Sequence, residues 1–97
     1  MQETVKFMIA CDEGARDYLS KEIVALGSAP PRISDAKGLG GDIAGFLVAG
    51  TIGVNATVAL LNLIGSAIKL GMTIRTVKID EKTLSNPTEQ EVKDLVK

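Results

Sequence analysis

The residue in this chain best equipped for covalent chemistry is Cys11, which stands where a strand-like run gives way to the helix-capping pair Asp12-Glu13. A thiolate can be stabilised at such a helix start. The 97-residue sequence contains no histidine, however, so no Cys-His pair or Ser-His-Asp arrangement can be assembled and the commonest metal ligand is missing. Cys11 therefore reads as a half-buried structural cysteine. Asp12-Glu13 and Asp80-Glu81 could supply paired carboxylates for metal binding or acid-base work, but they fall in a helix cap and a turn, where acidic residues are expected anyway. The run Gly38-x-Gly40-Gly41 could cradle a phosphate on free amides ahead of a helix. No lysine follows it as in a nucleotide-binding P-loop, and Asp42 would repel the anion, so residues 38–42 read as a loop. The sequence predicts a protein that is not an enzyme, with no catalytic, cofactor or metal site.

Composition narrows the partners. Eleven basic residues against twelve acidic ones leave a net charge of −1, without the electrostatic footprint of a nucleic-acid binder or a polybasic arm for anionic lipid. Aromatic residues are confined to Phe7, Tyr18 and Phe46, so platforms for stacking bases are lacking. A single cysteine forms no internal disulfide, and the first residues lack the charge and apolar pattern of a signal peptide, which predicts a cytoplasmic protein. The length suits one domain, residues 1–97.

The elements follow from periodicity. Val5, Phe7 and Ile9 alternate on one side of a strand with Met8 on the other. Asp12 can cap a helix reaching Leu26, with Ala15, Tyr18 or Leu19, Ile23 and Leu26 on its buried stripe and Gly27 as its stop. Pro30-Pro31 breaks the chain before a short edge strand at Arg32-Ile33-Ser34. Residues 73–79 read as a strand, with Thr73, Arg75, Val77 and Ile79 facing one way, and Asp80-Glu81 turns it into a partner at residues 82–84. Asn86, Pro87 and Glu89 suit the cap, first and third positions of a last helix, whose buried stripe is Val92, Leu95 and Val96.

Between these lies a stretch with no charged residue, 43–68. Read as one helix it would extend roughly 39 Å, and Thr51, Asn55, Asn62, Ser66 and Lys69 would fall on a single polar stripe roughly 60° wide. The remaining circumference is apolar or small. Burial by the sheet, a partner or a bilayer could cover it; a break near residues 50–53 is the alternative, because glycine disfavours helix interiors. The expected fold is α+β: a small sheet of three to four strands with packed helices, in the order β-α-β-α-β-β-α, around one long central apolar helix.

This arrangement, from the N-terminal strand and helix through Pro30-Pro31-Arg32-Ile33, the Gly/Ala-rich apolar stretch, the Thr73 to Asp80 strand and the capped helix from Asn86, resembles the effector-associated constant component family of bacterial conflict and immunity systems. It departs from that pattern at Ile68-Lys69-Leu70-Gly71, where the family tends to carry a Trp-Leu pair and arginines. The resemblance implies a non-catalytic adaptor that couples to an effector protein encoded nearby. The apolar stretch adds two expectations: a homo-oligomer, and an interaction surface formed by Phe46, Leu47, Val54, Leu60, Leu61, Ile64 and Ile68. Alternatives are a membrane-inserting or membrane-associated module using residues 43–68, and a small ligand-binding domain using the loop at residues 38–42.

Overall fold

The computed structural model describes residues 3–27, 29–37 and 43–95. Strand β1 (Thr4–Cys11) is followed by helix α1 (Glu13–Ala25), strands β2 (Arg32–Lys37) and β3 (Ile43–Gly53), a single 3-10 turn (Val54–Ala56) and helix α2 (Thr57–Lys69). Strands β4 (Ile74–Ile79) and β5 (Lys82–Ser85) and the short helix α3 (Glu89–Asp94) complete the chain. The five strands form one sheet in the order β2-β3-β1-β4-β5, every neighbouring pair antiparallel. The succession β1-α1-β2-β3-α2-β4 is a split β-α-β unit, and β5 extends it at one edge.

The α+β class therefore holds, but the single long helix does not form. Residues 43–53 are a strand, and only residues 57–69 are α-helical. A short apolar run cannot be assigned to helix or strand by periodicity alone, and here flanking chemistry decides. Ile43, Phe46, Val48, Thr51 and Ile52 are β-formers, while Gly45, Gly50 and Gly53 lower helix stability by about 1 kcal/mol each relative to alanine. Hydrogen bonding to β1 on one side and β2 on the other then satisfies the backbone of β3. The sheet gains a strand over the expectation, and the order becomes β-α-β-β-α-β-β-α. The polar stripe is correspondingly divided: Asn62, Ser66 and Lys69 stay together on α2, whereas Thr51 sits in β3 and Asn55 in the 3-10 turn. Among the described residues no helix is long and apolar enough to cross a membrane.

One core holds these elements together. Phe7, Ile9 and Cys11 of β1, Val48 and Ile52 of β3, and Val77 and Ile79 of β4 meet Ala15, Leu19 and Ile23 of α1, Leu60, Leu61, Ile64 and Ala67 of α2, and Val92 of α3. Helices α1 and α2 thus cover one face of the sheet, and α3 packs against α2. The predicted stripe of α1 is present apart from Leu26, which is 40 % exposed because the helix ends at Ala25 and Gly27 turns the chain with φ +89°. Asp12 caps it, its Oδ1 accepting from the Ala15 amide at 2.9 Å.

Two further local expectations shift. The cap of α3 is Thr88, whose hydroxyl accepts from the Glu91 amide at 3.2 Å while Glu91 accepts from the Thr88 amide at 3.1 Å. Asn86 instead takes a left-handed φ of 47° and donates its amide to the Arg75 carbonyl, which ends β5 two residues before the cap. In β4 a bulge between Ala10 and Cys11 of its partner breaks the alternation, so Ile74 is buried and Arg75 is exposed. Val92 is buried and Leu95 packs partly against the core, while Val96 lies outside the described residues.

Candidate functional site

The residues with reactive chemistry are kept apart or neutral. Cys11 is 1 % exposed in the core, and burial, reinforced by the Asp12 carboxylate and opposed by Arg16, pushes its thiol up to about 11. At neutral pH it is a thiol and not a nucleophilic thiolate. Asp12 is committed to its cap, and Glu13 forms an exposed pair with Arg16 at 3.7 Å. Asp80 follows β4 with its amide bonded to the Lys6 carbonyl. That places it about 20 Å from Asp12 along β1, too far for the two acidic pairs to share a proton or a cation. Among the described residues no group of three or more Cys, Asp or Glu is arranged to hold a metal ion. The loop at residues 38–42 lies outside the described residues.

The seven residues expected to form an interaction surface are distributed over several environments. Leu60, Leu61 and Ile64 are enclosed in the chain's own core, and Ile68 packs partly against it. Phe46 lies on the helix-covered side of β3 beneath the Arg16 guanidinium, 4.2 Å from its ring centroid. Val54 is 47 % exposed and borders a shallow cleft of about 430 Å³ with Val5, Val58, Leu61, Ile79 and Leu95. Leu47 alone points to the other side of the sheet.

Among the described residues no helix lies on that other side. Strand alternation places Lys6, Met8 and Ala10 of β1, Leu47, Ala49 and Thr51 of β3, Arg32 and Ser34 of β2, Thr76 and Lys78 of β4, and Thr83 and Ser85 of β5 on it. The register brings them into rows. Arg32 stands opposite Ala49, Ala49 opposite Met8, Met8 opposite Lys78, and Lys78 opposite Thr83. The next row runs Ser34, Leu47, Ala10, Thr76, Ser85. Met8, Ala10, Leu47 and Ala49 are half-buried by their sheet neighbours, and Lys6, Arg32 and Lys78 are exposed around them. Arg75, at the bulge, reaches across the end of β1, its Nη1 4.0 Å from where a side-chain carbon on Gly45 would stand.

No family model, curated protein or solved structure matches the chain.

The open face is thus a small apolar centre within a cationic frame. Among the described strand residues alternation sets no carboxylate on it; Asp80, in the turn after β4, borders one end beside Lys6 and Lys78 in a depression of about 230 Å³. A second, larger depression of about 530 Å³ lies where Lys6, Arg32, Ala49 and Thr51 meet Ala29 and Pro30. Alternation in the sequence already set Met8 opposite Phe7 and Lys78 opposite Val77. Bringing those residues beside Ala49 and Arg32 required β3 to be a strand between β1 and β2.

Proposed function

We propose that this chain is a non-catalytic adaptor that docks a partner effector protein, encoded nearby, on the uncovered face of its sheet. The observation that carries the reading is the one-sided packing: α1 and α2 bury their apolar stripes against one side of the sheet, with α3 packed on α2, leaving Met8, Ala10, Leu47 and Ala49 of the opposite side half-covered. A contiguous, partly apolar surface on a rigid sheet is a common docking platform. The burial and neutrality of Cys11 and the separation of the acidic pairs support a role in binding over one in turnover. The resemblance to the effector-associated constant component family points the same way, toward coupling within a bacterial conflict system. Relative to the sequence-based expectation, docking moves from the apolar helix to the sheet, because Leu60, Leu61 and Ile64 are consumed by the internal core.

The test is co-expression with the proteins encoded by the flanking genes. The wild-type chain is expected to co-purify with one of them, and the double substitution Met8→Gln with Leu47→Gln to lose it while keeping its thermal unfolding transition. A control on the helix layer, Val58→Gln, is expected to retain the partner. If Val58→Gln abolishes co-purification and the double substitution does not, the sheet face is not the docking surface.

A further inference from the structure

We infer that the partner segment received by the open sheet face is acidic: a protein segment whose Asp or Glu side chains reach the Arg32 and Lys78 ends of one row while an apolar side chain settles on Met8 and Ala49. This rests on the reading of that face as the docking surface, and it names the chemistry of what docks there. Arg32 and Lys78 belong to the same cross-strand row, three strand spacings or roughly 14 Å apart, with only Ala49 and Met8 between them. Lys6 stands on the next row, opposite Thr51, and Arg75 closes the far end over Gly45. Four of the chain's eleven basic residues therefore surround an apolar centre on which alternation sets no carboxylate among the described strand residues, Asp80 in the turn after β4 standing at its border.

None of the four makes an ion pair within the described residues; the pairs that form involve Arg16 with Glu13 and Asp17, and Lys93 with Glu89, all on helices. Among the described residues Asp80 is the carboxylate bordering them, beside Lys6 and Lys78 but in no ion pair with either, which leaves these cations to meet carboxylates of a partner. Charge complementarity of this kind steers association and rejects wrong partners. Other occupants fit less well. A second copy related by a two-fold axis would set this cationic frame against itself. Nucleic-acid bases would find no aromatic platform, because Phe7 and Phe46 point to the helix side and Tyr18 lies on α1.

The experiment is an amide-resolved NMR titration of the full chain with a soluble peptide of Glu and Leu residues, its Lys-for-Glu counterpart, an oligothymidylate and phosphatidylserine vesicles. The Glu-Leu peptide is expected to shift the amides of Lys6, Met8, Ala10, Leu47, Ala49 and Lys78, to weaken as salt is raised, and to lose roughly tenfold or more in affinity with Arg32→Glu plus Lys78→Glu. Both substituted sites are exposed, so the fold is expected to survive, and unfolding of each variant is measured alongside. Equal binding of the Lys-Leu peptide, tighter binding of the oligonucleotide or the vesicles, or concentration-dependent dimerisation through these same amides would overturn the acidic partner. Loss of the co-purified effector in Met8→Gln with Leu47→Gln but not in the charge-reversed protein would keep the docking face and reject its acidic occupant. Peptide shifts confined to α1, α2 and α3 would reject both.

Discussion

The carbonyl oxygen of Cys11 lies 2.8 Å from the point where a side chain on Gly45 would begin. That contact involves backbone on one side, so it cannot be relieved by rotating a flexible group. Gly45 is also buried, and β3 is held in register by β1 and β2 on either side. Close approach of two backbones is a position where only glycine fits.

Gly45→Ala is accordingly expected to destabilise the protein by about 1–3 kcal/mol, the usual cost of overpacking. The sign is the informative part. Were residues 43–68 a single helix, the same substitution would raise stability by about 1 kcal/mol, because alanine is the better helix former. Urea unfolding of the two proteins, followed by circular dichroism, decides between a lower and a higher midpoint.

A second prediction concerns the residues of α2 that sequence reading assigned to an interaction surface. Leu60 and Ile64 are fully buried against the chain's own sheet, α1 and α3. Leu60→Ala and Ile64→Ala are each expected to cost about 2–5 kcal/mol in the isolated protein. Val58, on the same helix but 52 % exposed, is expected to change stability by no more than about 0.5 kcal/mol on substitution by alanine. If Leu60 and Ile64 instead served chiefly a partner, their loss would leave the unfolding midpoint of the isolated chain near that of wild type.

These positions also show how far the sequence could be read. Elements with one strong local signal were legible: alternation in Val5, Phe7 and Ile9, the Asp12 cap with its Gly27 stop, and the Asp80-Glu81 turn between two strands. Residues 43–68 were not, because an apolar run lacks the charge pattern that distinguishes period 2 from period 3.6, and Thr51, Asn55, Asn62 and Ser66 fall at helical spacing although they belong to β3, the 3-10 turn and α2. The contacts that resolve it are tertiary. Pairing of Val48 with both Ile9 and Ile33 is invisible to any window shorter than the chain between them. The open face inherited that blindness: Lys6, Arg32 and Lys78 come from three strands and become neighbours of one apolar centre only after β3 takes its place in the sheet.

A third prediction follows from the reciprocal bonds between Thr88 and Glu91 at the start of α3. Thr88→Ala is expected to cost about 1 kcal/mol. Glu91→Ala is expected to cost more than Glu89→Ala, since Glu89 makes only a surface pair with Lys93 at 3.1 Å. Asn86→Ala is expected to destabilise and Asn86→Gly to be tolerated, because φ at this position is 47°. A thermal melt series ranks the five variants, and a larger effect at Glu89 than at Glu91 would move the cap back toward Asn86.

The last prediction concerns the pH dependence contributed by Cys11. In the unfolded chain its thiol has the ordinary value of 9.0, and in the fold burial holds it up to about 11. The unfolded state therefore releases its proton first on alkalinisation, and between these two values it binds fewer protons than the native state, so stability falls as pH rises. The contribution is fully present below pH 9.0 and is lost by about pH 11, a difference of about 3 kcal/mol. The readout is a comparison with Cys11→Ala, in which every other group of the chain is unchanged. The stability advantage of the wild type over Cys11→Ala, measured by urea unfolding, is expected to be constant up to about pH 9 and to shrink above it. A thiol reagent supplied at neutral pH is expected to modify the native protein far more slowly than the urea-unfolded chain, because the side chain must be both exposed and deprotonated to react. Equal labelling rates in the two states, or a wild-type advantage that grows with pH, would contradict a buried, neutral Cys11.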